Sequence, residues 1–217
     1  MNLGKAFTFA FEDKDWLKKL GIAGLVMLIP LIGQLTVGGW ALEVTRRVIQ
    51  REPETLPDWG AFGDYLVKGL KMFVIGLVYA LPIILLSICA NLPAMFLGNG
   101  NDETVGTLVS LLSACIGCLS AIYGIALWFL IPAALANFVV TGEIGAAFRF
   151  SDVMALVRAA PSAYLLALLG GIVASVLAGL GLILCIIGVI FTMAWAYTIQ
   201  GHLWGQAYNE AMAKKGM

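Results

Sequence analysis

The chain has 217 residues, of which 61% are hydrophobic and only 12% charged. Soluble domains carry roughly 25% charged residues. A soluble chain of this size has no interior large enough for so much apolar surface, so lipid is the solvent for most of it. Thirteen basic and thirteen acidic residues cancel, and no net field points to nucleic acid.

In the N-terminal arm, Phe7, Phe11 and Trp16 alternate with Glu12, Asp13, Lys14 and Asp15. This pattern predicts an amphipathic helix lying along the membrane surface. The uncharged tract Leu20–Leu42 follows. It is too long for a signal-peptide core, follows a mixed-charge segment and lacks an A-x-A site. Basic residues flank it on both sides: Lys14, Lys18 and Lys19 before it, Arg46, Arg47 and Arg51 after it. Basic residues in short loops mark the cytoplasmic side, and an ordinary span cannot have both ends there. Pro30 and Gly33 interrupt its middle, one by removing a backbone donor and one by adding freedom. The preferred reading is a re-entrant hairpin with helices near Trp16–Ile29 and Leu35–Ile49; the alternative is a kinked ordinary span. Irregular backbone at such depth needs cover from protein or water, and Gly38-Gly39 offers a surface for close approach.

A second surface segment begins at Leu56-Pro57-Asp58-Trp59, with Asp58 expected to cap a helix and Trp59, Phe62 and Leu66 expected on one face. The uncharged tracts Met72–Asn101 and Thr104–Thr141 then hold one span each, since a span needs about 20 residues. The acidic loop between them, residues 98–106, is expected outside. A third surface segment, Ile144–Val157, sets Phe148, Val153 and Val157 beside Arg149, Asp152 and Arg158.

The last tract, Ala159–Asn209, holds no charge apart from His202 when protonated. As one helix it would be roughly 75 Å long against a ~30 Å hydrocarbon core. It must turn back, and Gly179-Leu180-Gly181 is the expected bend, giving spans near Tyr164–Gly179 and Leu182–Leu203. Lys214 and Lys215 place the C-terminus in the cytoplasm. Cys89, Cys115, Cys118 and Cys185 all lie in apolar tracts, which reads as packing rather than a disulfide framework. A short echo links Phe7-Thr8-Phe9 and Asp13 to Phe148-Arg149-Phe150 and Asp152; it is too slight to carry a duplication. The expected class is all-α: one integral membrane domain over residues 1–217, a polytopic helical bundle of about four full spans plus the N-terminal re-entrant or kinked hairpin, with amphipathic interfacial helices.

Several short motifs recur together: Asp15-Trp16-Leu17 after the Phe-rich arm, Ile29-Pro30-Leu31-Ile32-Gly33, Arg46-Arg47 ahead of Leu56-Pro57-Asp58-Trp59, Phe62-Gly63, Gly69-Leu70, and Gly201-His202-Leu203-Trp204-Gly205-Gln206-Ala207-Tyr208. With them the chain resembles a family of small prokaryotic membrane proteins defined only as a domain of unknown function. The resemblance implies a bacterial or archaeal cytoplasmic (inner) membrane and brings no activity.

Chemistry is sparse. His202 is the single histidine, with no acidic residue deep in any tract to orient it, so an interfacial hydrogen-bonding role is expected. No Gly-rich phosphate loop follows a strand, and no cofactor or metal is implied. Mid-depth ionisable residues, which mark ion paths, are missing. The interior polar set is Gln34, Thr36, Ser87, Asn91, Ser113, Ser120, Asn137, Ser175, Thr192, Thr198 and Gln200. Such groups serve as inter-helix glue; Gln34, beside the Pro-Gly break, is the leading candidate for function, with Asn137 and His202 behind it. The expected function is a non-enzymatic structural or accessory component bound to the lipid bilayer and to itself or other membrane proteins. The alternative is a small permease or lipid-handling protein for a neutral or amphipathic ligand, marked by a polar cavity at Gln34 and Asn137. A tag on the N-terminus is expected to stay unreachable from outside intact cells; external labelling would replace the hairpin with a single kinked span.

Overall fold

The computed structural model describes residues 1–53, 55–97 and 103–216, and every regular element among them is helical. The helices are α1 (Leu3–Glu12), α2 (Trp16–Met27), α3 (Ile32–Ile49), α4 (Phe62–Leu97), α5 (Glu103–Thr141), α6 (Phe150–Ala159), α7 (Pro161–Leu180) and α8 (Cys185–Lys214). Short 3-10 turns at Trp59–Ala61, Ile144–Phe148 and Gly181–Leu184 lead into α4, α6 and α8. Among the described residues, three stretches are long and apolar enough to cross a membrane: Trp59–Ala90, Val109–Thr141 and Pro161–Ile183. Most of the loop at 98–106 lies outside the described residues, as do the side chains of Asn91 and Cys185.

Local chemistry sets the breaks. Between α2 and α3 the chain turns at Leu31, whose φ of 63° and ψ of −65° match a classic γ-turn. Its closing bond runs from the Ile32 N–H to the Pro30 carbonyl at 2.7 Å. Gly33 then lies so close to α2 that a Cβ there would overlap the carbonyl oxygen of Val26. The bend in the last tract falls at Gly181, where a Cβ would collide with the Thr192 hydroxyl and the Gly188 carbonyl. Thr192 ties the turn shut, its hydroxyl within 2.9 Å of both the Ala178 and Gly188 carbonyls. Pro161 opens α7, where its missing N–H has no helical partner to lose.

Helix α8 is the hub and packs on α1, α2, α3, α5, α6 and α7. Helix α3 is wedged between α4 and α8. It meets α4 antiparallel, Gly39 against the Tyr65 carbonyl and Gly69 against the Leu35 carbonyl. Its contact with α8 is parallel, with Gly201 against the Ala41 carbonyl and Gly205 against Val48. The Thr45 hydroxyl adds a bond to the Gly201 carbonyl at 2.9 Å. Glycine is required at these four places because the neighbouring helix occupies the volume a methyl would need, with backbone at Gly39, Gly69 and Gly201 and with the Val48 side chain and the Thr45 carbonyl at Gly205.

Helices α4 and α5 have 36 and 39 residues, roughly 54 and 58 Å, against about 30 Å for α7. Tyr123 and Tyr79 join them, the Tyr123 hydroxyl donating to the Tyr79 carbonyl at 3.0 Å and the Tyr79 hydroxyl to the Ala147 carbonyl at 2.8 Å. Beyond that point no described residue between Ala80 and Ala126 is buried. The distal halves of this pair extend past the rest of the bundle.

The expected surface segments pack onto the bundle. Ala6, Phe9 and Ala10 of α1 are buried, as are Val153 and Leu156 of α6. Of the echo segments, Phe7–Phe9 lies within α1, whereas Phe148–Phe150 straddles the end of a 3-10 turn and the start of α6. Asp58 does not cap a helix. Its side chain makes no capping bond and pairs with Lys19 at 2.9 Å instead, while Phe62 and Leu66 begin the long α4. Gly69→Ala is expected to lower thermal stability in detergent by about 1–3 kcal/mol. Gly76→Ala, where a Cβ meets nothing within 4 Å, should raise it by up to about 1 kcal/mol through helix propensity.

Candidate functional site

A cluster of charged residues joins the first four helices at one end. Leu56 is fully buried because its backbone is gripped from two sides. Its N–H donates to Asp13 Oδ2 at 3.0 Å and its carbonyl accepts from Lys19 Nζ at 2.8 Å. Lys19 also bonds Asp13 at 2.9 Å. The Trp40 indole N–H donates to the Pro57 carbonyl at 3.0 Å, the Trp59 indole N–H to the Lys19 carbonyl at 2.9 Å, and the Tyr65 hydroxyl to the Asp58 carbonyl at 2.7 Å. Trp40 and Trp59 stack at 5.2 Å. Beside this latch, Glu43 is held by Arg46 and Lys68, and Arg46 forks onto Glu52 at 2.7 and 3.1 Å. Burial alone would raise the Asp13 carboxyl. The bonds from Lys19 and from the Asp15 and Leu56 amides outweigh it and hold the group below its ordinary value. This end fastens α1, α2, α3 and α4 together, and Asp13, Lys19, Asp58, Glu43, Arg46, Glu52 and Lys68 pair among themselves.

His202 is buried on α8 against the Phe9 ring at 4.4 Å. The Asn2 N–H donates to Gln206 Oε1 at 2.6 Å, which fixes that amide's orientation. Gln206 Nε2 therefore faces His202 Nδ1 at 2.8 Å and the Asn2 carbonyl at 3.0 Å. Nδ1 must accept, so the ring proton sits on Nε2. His202 thus docks α1 on α8. Asn137 is half-buried on α5 one turn before Thr141, whose hydroxyl donates to its carbonyl at 2.9 Å.

Gln34 is exposed into a crevice of about 590 Å³ between the α2–α3 hairpin and the start of α8. Gly24, Leu28, Ile190 and Met193 form its walls. A second crevice of about 580 Å³ shares Leu182, Val189, Met193 and Tyr197 with it and reaches Met72, Ser175 and Gln200. A third cavity of about 340 Å³ opens between α5, α7 and α8, and Gln200 lines this one too. None of these three cavities is lined by both Gln34 and Asn137, and His202 lines none of them. Gln200 is the residue that sequence reasoning left unranked. Its position beside Gly171, the one glycine of α7 that it faces, depends on helix rotation. The ring-locked Pro132 of α5 across the cavity was the available clue.

A Cβ at Gly171 would stand in ordinary van der Waals contact with Gln200, 3.9 Å from Nε2, so the amide packs beside that glycine. Gly171 is midway along α7. Neither Gln34 nor Gln200 has a side-chain hydrogen-bond partner among the described residues. These sites suit hydrocarbon with an occasional neutral polar group; a bare ion would find no compensating charge.

Fold and site define an all-helical membrane protein with several apolar helices and its charges latched at one end. The signature of DUF4013, described as a protein of unknown function, matches residues 22–196, and the chain belongs to that family. No curated protein matches the chain, and no solved structure does.

The lowered Asp13 carboxyl contributes stability in full above its ordinary value of 3.8, and loses it as pH falls below that toward the folded value. In pH-dependent unfolding, Asp13→Asn is expected to flatten this acid limb and to cost about 1–3 kcal/mol at neutral pH. An unchanged acid limb would remove Asp13 from the latch.

Proposed function

We propose that the protein is a non-enzymatic component of a prokaryotic cytoplasmic (inner) membrane that shelters a neutral or amphipathic lipid-like ligand beside α8. One observation carries this reading: the Gln34 and Gln200 amides open into apolar crevices and have no protein partner among the described residues. Volumes of about 340 to 590 Å³ fall in the usual range for small-molecule sites. In this reading α8 is a fourth span, its 30 residues being ample. The α2–α3 pair is a re-entrant hairpin covered by α4 and α8, as irregular backbone in lipid requires. The basic residues Lys14, Lys18, Arg51 and Lys215 put the latch and both termini in the cytoplasm.

A second reading rests on a different feature. The uncharged run Thr104–Thr141 on α5 is roughly 57 Å long, and even at a 40° tilt it rises about 44 Å, beyond a ~30 Å hydrocarbon core. Apolar surface left outside lipid calls for cover from a second copy or another membrane protein, which would make the chain an accessory subunit.

Purification of the intact protein in mild detergent, followed by native mass measurement and extraction, separates the two. A lipid-like small molecule in fixed ratio to the chain is the expected result. Fixed protein companions with no bound small molecule would overturn it in favour of the accessory role. A bare monomer would overturn both.

A further inference from the structure

We infer that the cavity between α5, α7 and α8 is a binding site for a single hydrocarbon chain bearing one neutral hydrogen-bonding group, a hydroxyl or carbonyl, which the Gln200 amide reads. The inference rests on the lipid-sheltering reading above and assigns that reading a ligand class and a site. The walls are Leu127, Trp128, Ile131, Leu168 and Trp204, with Gln200 as the one amide among them. Gln200 has no side-chain partner among the described residues, and in a hydrocarbon surrounding such an amide carries a desolvation cost that a ligand group of matching polarity would offset. Pro132 supplies a second polar point. It has no N–H to give the carbonyl of Trp128 one turn earlier, and both residues line the cavity. A hydroxyl can donate to that carbonyl or accept from the Gln200 amide. No charged side chain lines the cavity. A phosphate is excluded at this depth because an unpaired charge there costs several kcal/mol, so the group read in the cavity is neutral.

The test uses the full chain in phosphatidylcholine vesicles with two photoactivatable probes: a long-chain alcohol carrying a diazirine beside its hydroxyl, and the matching hydrocarbon diazirine without the hydroxyl. In the wild type the alcohol is expected to label peptides bearing Trp128 and Leu168 about tenfold more than the hydrocarbon does, the preference one good intramembrane hydrogen bond provides. Gln200→Leu should erase the preference while leaving hydrocarbon labelling in place. Gly124→Leu should abolish labelling by both probes. A Cβ at Gly124 meets nothing within 4 Å, so that side chain fills the cavity without forcing a neighbour aside, and helix propensity favours it. Equal labelling by the two probes in the wild type overturns the inference. So does a preference that survives Gln200→Leu. If labelling concentrates instead on peptides bearing Leu28 and Val189, this site falls while lipid sheltering stands. Labelling no greater at any crevice than on the exposed face of α4 removes both.

Discussion

Hydrocarbon tails are as apolar as leucine, so a membrane gives helices no hydrophobic reason to leave lipid for one another. Contact must come from backbones that approach closely enough for dispersion and hydrogen bonding to act. Gly39 and Gly69 do this between α3 and α4, and Gly201 and Gly205 do it between α3 and α8. These four positions fix the rotation of three helices at once. From that rotation follow the burial of Trp40 and His202 and the outward aim of Gln200. The Thr45 bond to the Gly201 carbonyl and the Asn209 bond to the Val48 carbonyl at 2.8 Å are available only because the backbones are already that near.

The two ends of the bundle obey different physics. At the charged end, water competes for every polar group, and the structure answers with dense local pairing around Asp13, Lys19 and Glu43. Away from that end, the Gln34 and Gln200 amides line crevices walled mostly by apolar side chains. A polar group left without a partner is tolerable at the first end and costly at the second. The asymmetry directs the functional reading toward the apolar crevices and away from the more densely charged latch.

What was legible in the sequence was mostly what the backbone decides locally. Pro30 and Gly33 marked the break between α2 and α3, and Gly179-Leu180-Gly181 marked the bend before α8, because proline lacks a backbone donor and glycine lacks the Cβ that would block a close approach. The uncharged tracts marked the long helices for an equally local reason. Long-range partners were not legible. Asp58 has the sequence context of a helix cap, yet Lys19, 39 positions earlier, captures it. Phe7 and Phe11 look like the anchoring aromatics of α1, but Phe9 is the one driven against His202. Gln34 stood out because it adjoins a visible break. Gln200 sits in an unbroken helix, and only the geometry of three helices together gives it a cavity.

The order in which the chain leaves the ribosome gives the latch a further meaning. Asp13, Lys19, Trp40, Leu56, Trp59 and Tyr65, which grip one another through the bonds described, all belong to the first 65 residues. That knot can tie while most of α4 is still being made. Helix α8 is synthesised after every helix it touches, yet it is the hub on which six of them pack. Until it arrives, α3 carries an open seam at Ala41, Thr45 and Val48 that no earlier helix fills. A nascent chain stalled before α8 therefore has a finished surface collar around an unfinished centre. Helix α8 thus acts as the keystone of the bundle, closing with its own backbone the seam left open on α3.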